Sequence, residues 1–222
     1  YLLASDVTKN IGKYKLWIFL AAFISDDTFR NTVAKLRTGR NVLLWFYAPG
    51  VIDGKSFGSE NIRRLTGIMV RELSQNGSPE ILLPDGRIAG VPEDISLLYS
   101  PNDPSSLVLG TYLDSGLPAA AEKMTGKARD IFWGGNVMPT DLFRKFAKDA
   151  GVHIYSDSND VIFAGNGFLT FHAATSGRKT IRLPQPARIS DLFTGNLLGE
   201  NIKEFSFNAA LHESRIFRIE NK

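Results

Sequence analysis

Two apolar runs decide the reading of the fold: Lys15-Leu-Trp-Ile-Phe-Leu-Ala-Ala-Phe23 and Asn41-Val-Leu-Leu-Trp-Phe-Tyr-Ala48. Neither alternates apolar with polar residues, so each predicts a strand buried on both faces, as in a parallel sheet covered by helices. Between them Ser25 stands at an N-cap position, with Asp26 and Asp27 in the first turn. Phe29, Val33 and Leu36 follow at helical spacing, and Gly39 supplies the stop. Beyond Ala48 come Pro49-Gly50, a loop to Gly58, and a short helix capped by Ser59 that carries Ile62 and Leu65 on one face and stops at Gly67. Upstream, Ser5-Asp6 caps a brief helix over residues 7–11. This rhythm of strand, helix, strand, loop and helix implies parallel strands with right-handed crossovers.

Further along, Asn76-Gly77, Pro84-Asp85-Gly86 and Pro101-Asn-Asp-Pro104 separate short strands at 81–83 and 95–99. Residues 107–113 and 118–124 flank a hairpin turn at Asp114-Ser115-Gly116, and 129–133 form another strand. Leu142, Phe143, Phe146, Ala147 and Ala150 mark a helix between Pro139 and Gly151. After Gly151 the pattern is all β, with strands at 152–155, 161–164, 168–174, 179–183, 189–193, 204–207 and 214–219. The division expected is an α/β domain over 1–151 and a small β-sandwich-like domain over 152–222.

With 222 residues, 43% of them hydrophobic and 22% charged, the chain can bury a core without staples. It has no cysteine, which excludes a disulfide framework, thiolate metal sites and a cysteine nucleophile; no compartment follows from this. The 26 Lys and Arg against 23 Asp and Glu form no basic run, so nucleic acid is not an expected partner. The longest apolar run, Leu16 to Ile24, is half of a membrane span and follows no charged leader, so neither a membrane partner nor a signal peptide is expected.

Gly54-Lys55-Ser56-Phe57-Gly58 is a literal G-x-S-x-G. A nucleophile elbow joins strand directly to helix, whereas Pro49 to Asp53 intervene here, and His153, His172 and His212 fall in β segments of the other region. The sequence therefore reads as a glycine-rich loop. Asp53 and Glu60 flank it at the C-terminal end of a parallel strand, where α/β sites form. Trp133 and Asn136 flank Gly134-Gly135 at the end of another strand. Asp53, Ser56, Glu60, Trp133 and Asn136 are thus the candidate cleft residues, with no catalytic role assigned to any. With no H-x-x-x-H, acidic calcium loop or phosphate-binding loop, no metal or cofactor is expected.

Tyr14-Lys-Leu-Trp-Ile-Phe-Leu20, Gly39-Arg-Asn-Val-Leu-Leu-Trp45, Tyr47-Ala-Pro-Gly50, Leu65-Thr66-Gly67 and Val108-Leu-Gly-Thr-Tyr112 resemble the trimerisation domain of β-galactosidase-type glycoside hydrolases. That domain is similar in fold to class I glutamine amidotransferases. Ile181-Arg-Leu-Pro184 and Asp191-Leu-Phe-Thr-Gly195 resemble the small C-terminal β domain of the same enzymes. The resemblance implies a flavodoxin-like parallel sheet with helices, then a small antiparallel β domain. It also implies an upstream (β/α)8 barrel that carries the catalytic carboxylates, a homo-oligomer, and a carbohydrate substrate reached through the parent enzyme. The amidotransferase cysteine has no counterpart, so no catalytic residue carries over. The resemblance implies a first strand and helix ahead of Tyr1, with that strand between the two runs quoted above and supplied by a separate chain segment, unless the strand order differs from this reading. The leading expectation is a non-catalytic accessory or oligomerisation region with an exposed apolar patch. The alternatives are a self-contained glycosidase or esterase around Asp53, Ser56 and Glu60, and a sugar-binding module.

Overall fold

The computed structural model describes residues 3–220; the apolar opening at Tyr1 and Leu2 lies outside them. The chain divides into two compact units, Tyr1–Val152 and His153–Lys222. After two short 3-10 turns, Ala4–Asp6 and Thr8–Asn10, where one brief helix was expected, the first unit runs β1 (Leu16–Phe19), α1 (Asp27–Leu36), β2 (Val42–Phe46), α2 (Ser59–Thr66), β3 (Val70–Glu72), β4 (Ile81–Leu82), β5 (Ile88–Ala89), β6 (Tyr99–Pro101), β7 (Leu107–Tyr112), β8 (Pro118–Thr125), β9 (Ala128–Trp133) and α3 (Thr140–Asp149). Seven of these strands form one sheet in the order β1-β2-β9-β8-β7-β4-β5, and β3 pairs with β6 beside it.

The helix-rich, flavodoxin-like or glutamine-amidotransferase-like parallel sheet expected from the sequence does not form. Only β1, β2 and β9 run parallel; β8, β7, β4 and β5 each pair antiparallel. The reason lies in the connections. Only Gly126 and Lys127 separate β8 from β9, and a loop at 113–117 separates β7 from β8, and connections this short can only reverse the chain. Gly126, at φ +64°, takes the left-handed conformation that the tighter of these turns needs. Nor is there room for a missing central strand, because β1 pairs directly with β2 from Leu16↔Val42 to Phe19↔Trp45.

β2 is the strand that the second apolar run promised. Val42 and Leu44 pack on the α3 side with Ile131, Trp133 and Phe146, while Leu43 and Trp45 pack on the other side with Val33, Leu36 and Leu65. β1 is shorter than its apolar run and lies at the sheet edge, so Ile18 keeps 39% exposure and Leu20 59%. The N-cap of α1 is Asp26 rather than Ser25: its carboxylate accepts from Phe29 N–H at 2.7 Å.

A charged residue sits between β2, β9 and the α1 side of this core. Asp130, on β9, is fully buried and accepts from Arg37 Nε (2.9 Å) and Nη2 (2.8 Å) and from Trp45 Nε1 (2.8 Å). Arg37, just past α1, also donates Nη2 to Leu65 O in α2 at 2.7 Å. Both helices, β2 and β9 are therefore tied through one carboxylate.

The second unit runs β10 (Val161–Gly165), β11 (Phe168–His172), β12 (Gly177–Asp191), β13 (Leu197–Ala209) and β14 (Ser214–Glu220), one antiparallel sheet in the order β10-β11-β14-β12-β13. The strands expected at 179–183 and 189–193 are one long strand, β12, and 152–155 is not a strand. Between Arg182↔Glu204 and Ala187↔Ile202 the register slips, leaving 183–186 bulged against Lys203. Pro184 and Pro186 lack the N–H a regular ladder would use there. Leu169, Phe171, Ile181, Phe207 and Phe217 form this unit's core.

Replacing Asp130 by Ala strands the Arg37 guanidinium and the Trp45 indole in the interior, so unfolding by urea should show a loss of about 3–5 kcal/mol. A loss below about 1 kcal/mol would mean that the network is replaceable by water.

Candidate functional site

The loop after β2 brings three of the five candidate residues together, and their bonds close the loop. Asp53 Oδ1 accepts from Lys55 N–H (2.9 Å), Ser56 N–H (2.7 Å) and the Ser56 hydroxyl (3.1 Å). Asn61, buried at the start of α2, donates Nδ2 to Val51 O, Ser56 O and Ser56 Oγ. Gly54 (φ +85°) and Gly58 (φ +150°) hold backbone conformations that side chains resist. The glycines of the G-x-S-x-G thus serve a turn and the approach to a helix, not a nucleophile elbow.

Glu60 pairs with Arg63 at 2.5 Å, and Arg64 lies 3.5 Å from Asp53 Oδ2 and 3.7 Å from Glu60 Oε1. The N–H groups of Lys55 and Ser56 hold the Asp53 carboxyl below the usual range, and the Arg63 guanidinium does the same for Glu60. Glycoside hydrolysis by a carboxyl pair needs one member raised so that it can give up a proton. Here both are lowered. The Ser56 hydroxyl meets a carboxylate and an amide, not an imidazole. The three histidines belong to the second unit, where His153 Nε2 bonds Arg182 O (2.9 Å), His172 Nδ1 bonds Ser214 Oγ (2.8 Å), and the His172 and His212 rings stack.

Trp133 and Asn136 lie elsewhere. Trp133 is fully buried, with its indole donated to Val137 O at 3.1 Å, so it offers no platform for a ligand. Asn136 clasps Val91, accepting from its N–H and donating to its O, both at 3.1 Å. Among the described residues no group of three or more His, Cys, Asp and Glu could hold a metal ion, and no helix is long and apolar enough to cross a membrane.

One recess of the first unit was not foreseen. A cavity of about 690 Å³ follows the outer edge of β1. One flank is Val7, Trp17 and Phe29, from the core on the α1 side; the other is Leu16 and Phe143, which pack on the α3 side, with Ile18 beside them. No charged residue lines it. Its signal in the sequence was the uninterrupted apolar character of 16–24, read there as burial within the sheet.

Comparisons with known proteins bear on fold alone. No protein-family model and no curated protein matches the sequence. Among solved structures the chain is similar to a β-galactosidase from Bacillus circulans sp. alkalophilus, with a TM-score of 0.67 and 16% identity over 97% of this chain and 34% of that one. A β-galactosidase from the Antarctic haloarchaeon Halorubrum lacusprofundi gives a TM-score of 0.66 and 14% identity over 97% and 32%. A GH42 β-galactosidase from G. stearothermophilus gives 0.63 and 16% over 96% and 33%. The chain thus has the fold of a β-galactosidase region and spans about a third of the length of these enzymes.

The Asp53 carboxyl should titrate below 3.8 when followed by carboxyl NMR. Its folded pKa is depressed, so what it contributes to the loop is present above the unfolded value and lost as pH falls through the folded one. Asp53→Ala should speed exchange of the Ser56 amide; a titration midpoint at or above 3.8 would remove the basis for this reading.

Proposed function

We propose that this chain is a non-catalytic accessory region of a larger β-galactosidase-like glycoside hydrolase, and that its work is assembly rather than bond cleavage. One observation carries the reading: nearly all of this chain matches about a third of each of several β-galactosidases. Two features of the chain support it. Asp53, Ser56 and Glu60 are engaged in closing a loop and in arginine pairs, with neither carboxyl raised for acid catalysis. The recess along the edge of β1 is lined by apolar, uncharged residues, the character of surfaces that other protein covers. In this reading carbohydrate is met by the parent enzyme, through carboxylates that lie on other parts of its polypeptide, and the parent is an oligomer.

Three measurements test the proposal together. The polypeptide isolated from its native source should be about three times as long as these 222 residues, by intact mass. It should hydrolyse an aryl β-galactoside, and residues 1–222 alone should not. A native mass near 24.5 kDa, or turnover by the isolated chain that is lost on Asp53→Asn, would favour a self-contained hydrolase instead.

A further inference from the structure

The second unit has a small recess at the end of its core, where two irregular segments face each other. One is the turn of the β10–β11 hairpin. Gly165 pairs with Phe168, so Asn166 and Gly167 alone make the turn, at φ +50° and +80°, the left-handed pair that a two-residue hairpin loop favours. The other is the bulge of β12, where 183–186 stand against Lys203. Bulges re-aim side chains and gather beside binding sites. This one is stiff: Pro184 and Pro186 have fixed φ, and the ring of Pro186 keeps Gln185 out of the helical region. Tyr155 closes a third side. Its carbonyl accepts from Arg182 N–H at 2.8 Å, and the His153 ring, itself bonded to Arg182 O, meets the Tyr155 ring edge-on at 4.7 Å.

The space enclosed is about 210 Å³. Buried Leu183 and half-buried Ile219 give it an apolar floor, Tyr155 and Phe168 supply ring surface, and the exposed side chains of Asn166 and Gln185 stand at its rim. No charged residue lines it, and among the described residues nothing bonds the Asn166 or Gln185 amide. This chemistry selects a ligand. An ion would enter without a counter-charge, which is costly. A purely apolar molecule would cover the two amides without satisfying them. A sugar ring suits both parts: its C–H face lies on aromatic and aliphatic surface, and its hydroxyls, which donate and accept, match amides that do the same. Sites for drug-sized ligands enclose about 300–1,000 Å³, so this one holds a single ring.

We propose that this recess binds one ring of a neutral saccharide, with Tyr155 and Phe168 against its C–H face and the Asn166 and Gln185 amides on its hydroxyls. The choice of a sugar among neutral polyols rests on the accessory-region reading. To that reading the site adds a place on this chain where carbohydrate is held without being cleaved. The prolines and the hairpin turn set its shape before the ligand arrives, so little ordering opposes binding.

The test uses the full-length polypeptide with 3-fluorotyrosine at position 155. Methyl 1-thio-β-D-galactopyranoside and methyl 1-thio-β-D-glucopyranoside, which resist hydrolysis, are the probes, and benzyl alcohol is the apolar control. At least one thioglycoside should shift the fluorine signal saturably, with a Kd on the order of 1–10 mM for so small a site. Asn166→Gly combined with Gln185→Ala should weaken that binding at least about 10-fold; glycine keeps the left-handed turn, so the hairpin survives the change. No saturable shift up to about 100 mM of either sugar, an equal Kd in the double variant, or saturation by benzyl alcohol alone overturns the proposal. Should the labelled or variant protein fold poorly, hydrogen exchange of 165–168 and 183–187 in unaltered protein decides: slowing by either sugar supports the site, and unchanged exchange refutes it. Failure of the site in a polypeptide of full mass that hydrolyses an aryl β-galactoside leaves the accessory-region reading standing. A native mass near 24.5 kDa removes that reading, and the titration still decides the site.

Discussion

The arrangement of the first unit depends on where the Asp130 carboxylate ends up. It is fully buried on β9, where the parallel part of the sheet meets the antiparallel part, and three donors reach it, two from Arg37 and one from Trp45. A pair of this kind adds little net stability over an apolar trio of the same shape, but breaking it is costly, because a lone charge then remains in the interior. Its effect is selective. A packing of α1 that fails to deliver Arg37 to β9, or a register of β2 that moves Trp45, leaves a buried charge or donor unmatched. Because Arg37 also reaches Leu65 O, the same requirement fixes the end of α2.

Two other buried carboxylates work in this way. Lys123 Nζ lies 2.7 Å from Asp103, on which Ser105 and the Met69 N–H also converge. Burial pushes the Asp103 carboxyl up, but these partners outweigh it and hold it well below the usual range. In the second unit Lys179 and Asp160, both nearly inaccessible, are joined by Ser158, Thr175 and the Ala174 N–H. Each unit therefore holds its long strands in place with its own polar network and closes its own apolar core. None of these three carboxylates lies in an open recess with an unengaged partner, which sets them apart from an acid poised for chemistry.

Local elements were legible in the sequence to the degree that local chemistry determines them. α2 ends at Thr66 ahead of a left-handed Gly67, and α3 lies between Pro139 and Gly151, because stop signals and apolar spacing act within a few residues; the cap expected at Ser59 is not made, since the N-cap position is Gly58 and bears no side-chain bond. The sheet was misread because apolar runs do not report direction. The rhythm of residues 15–67 implied parallel strands, and that reading was carried past Gly126-Lys127, whose two-residue length was itself a sign of reversal. The candidate site failed for a related reason. Asp53, Ser56 and Glu60 are close in space as expected, but their partners are backbone N–H groups, Asn61, Arg63 and Arg64, and a motif scan does not weigh these. Asp130 drew no notice because an acid inside an apolar strand has no signature until Arg37, 93 residues away, is placed beside it.

The most informative misreading is that of the first apolar run. Its composition predicted a strand covered on both sides, yet the fold of these residues sets it at an edge. A sequence under no demand for burial there would be free to carry lysine or alternate polar residues along 16–20, as edge strands do to avoid association. Instead Leu16, Trp17, Ile18, Phe19 and Leu20 are apolar without exception, and the flanking Val7, Phe29 and Phe143 continue the same character around the edge. The apolar run therefore produces an uncharged recess along the edge of β1 where an edge strand would ordinarily carry a polar rim.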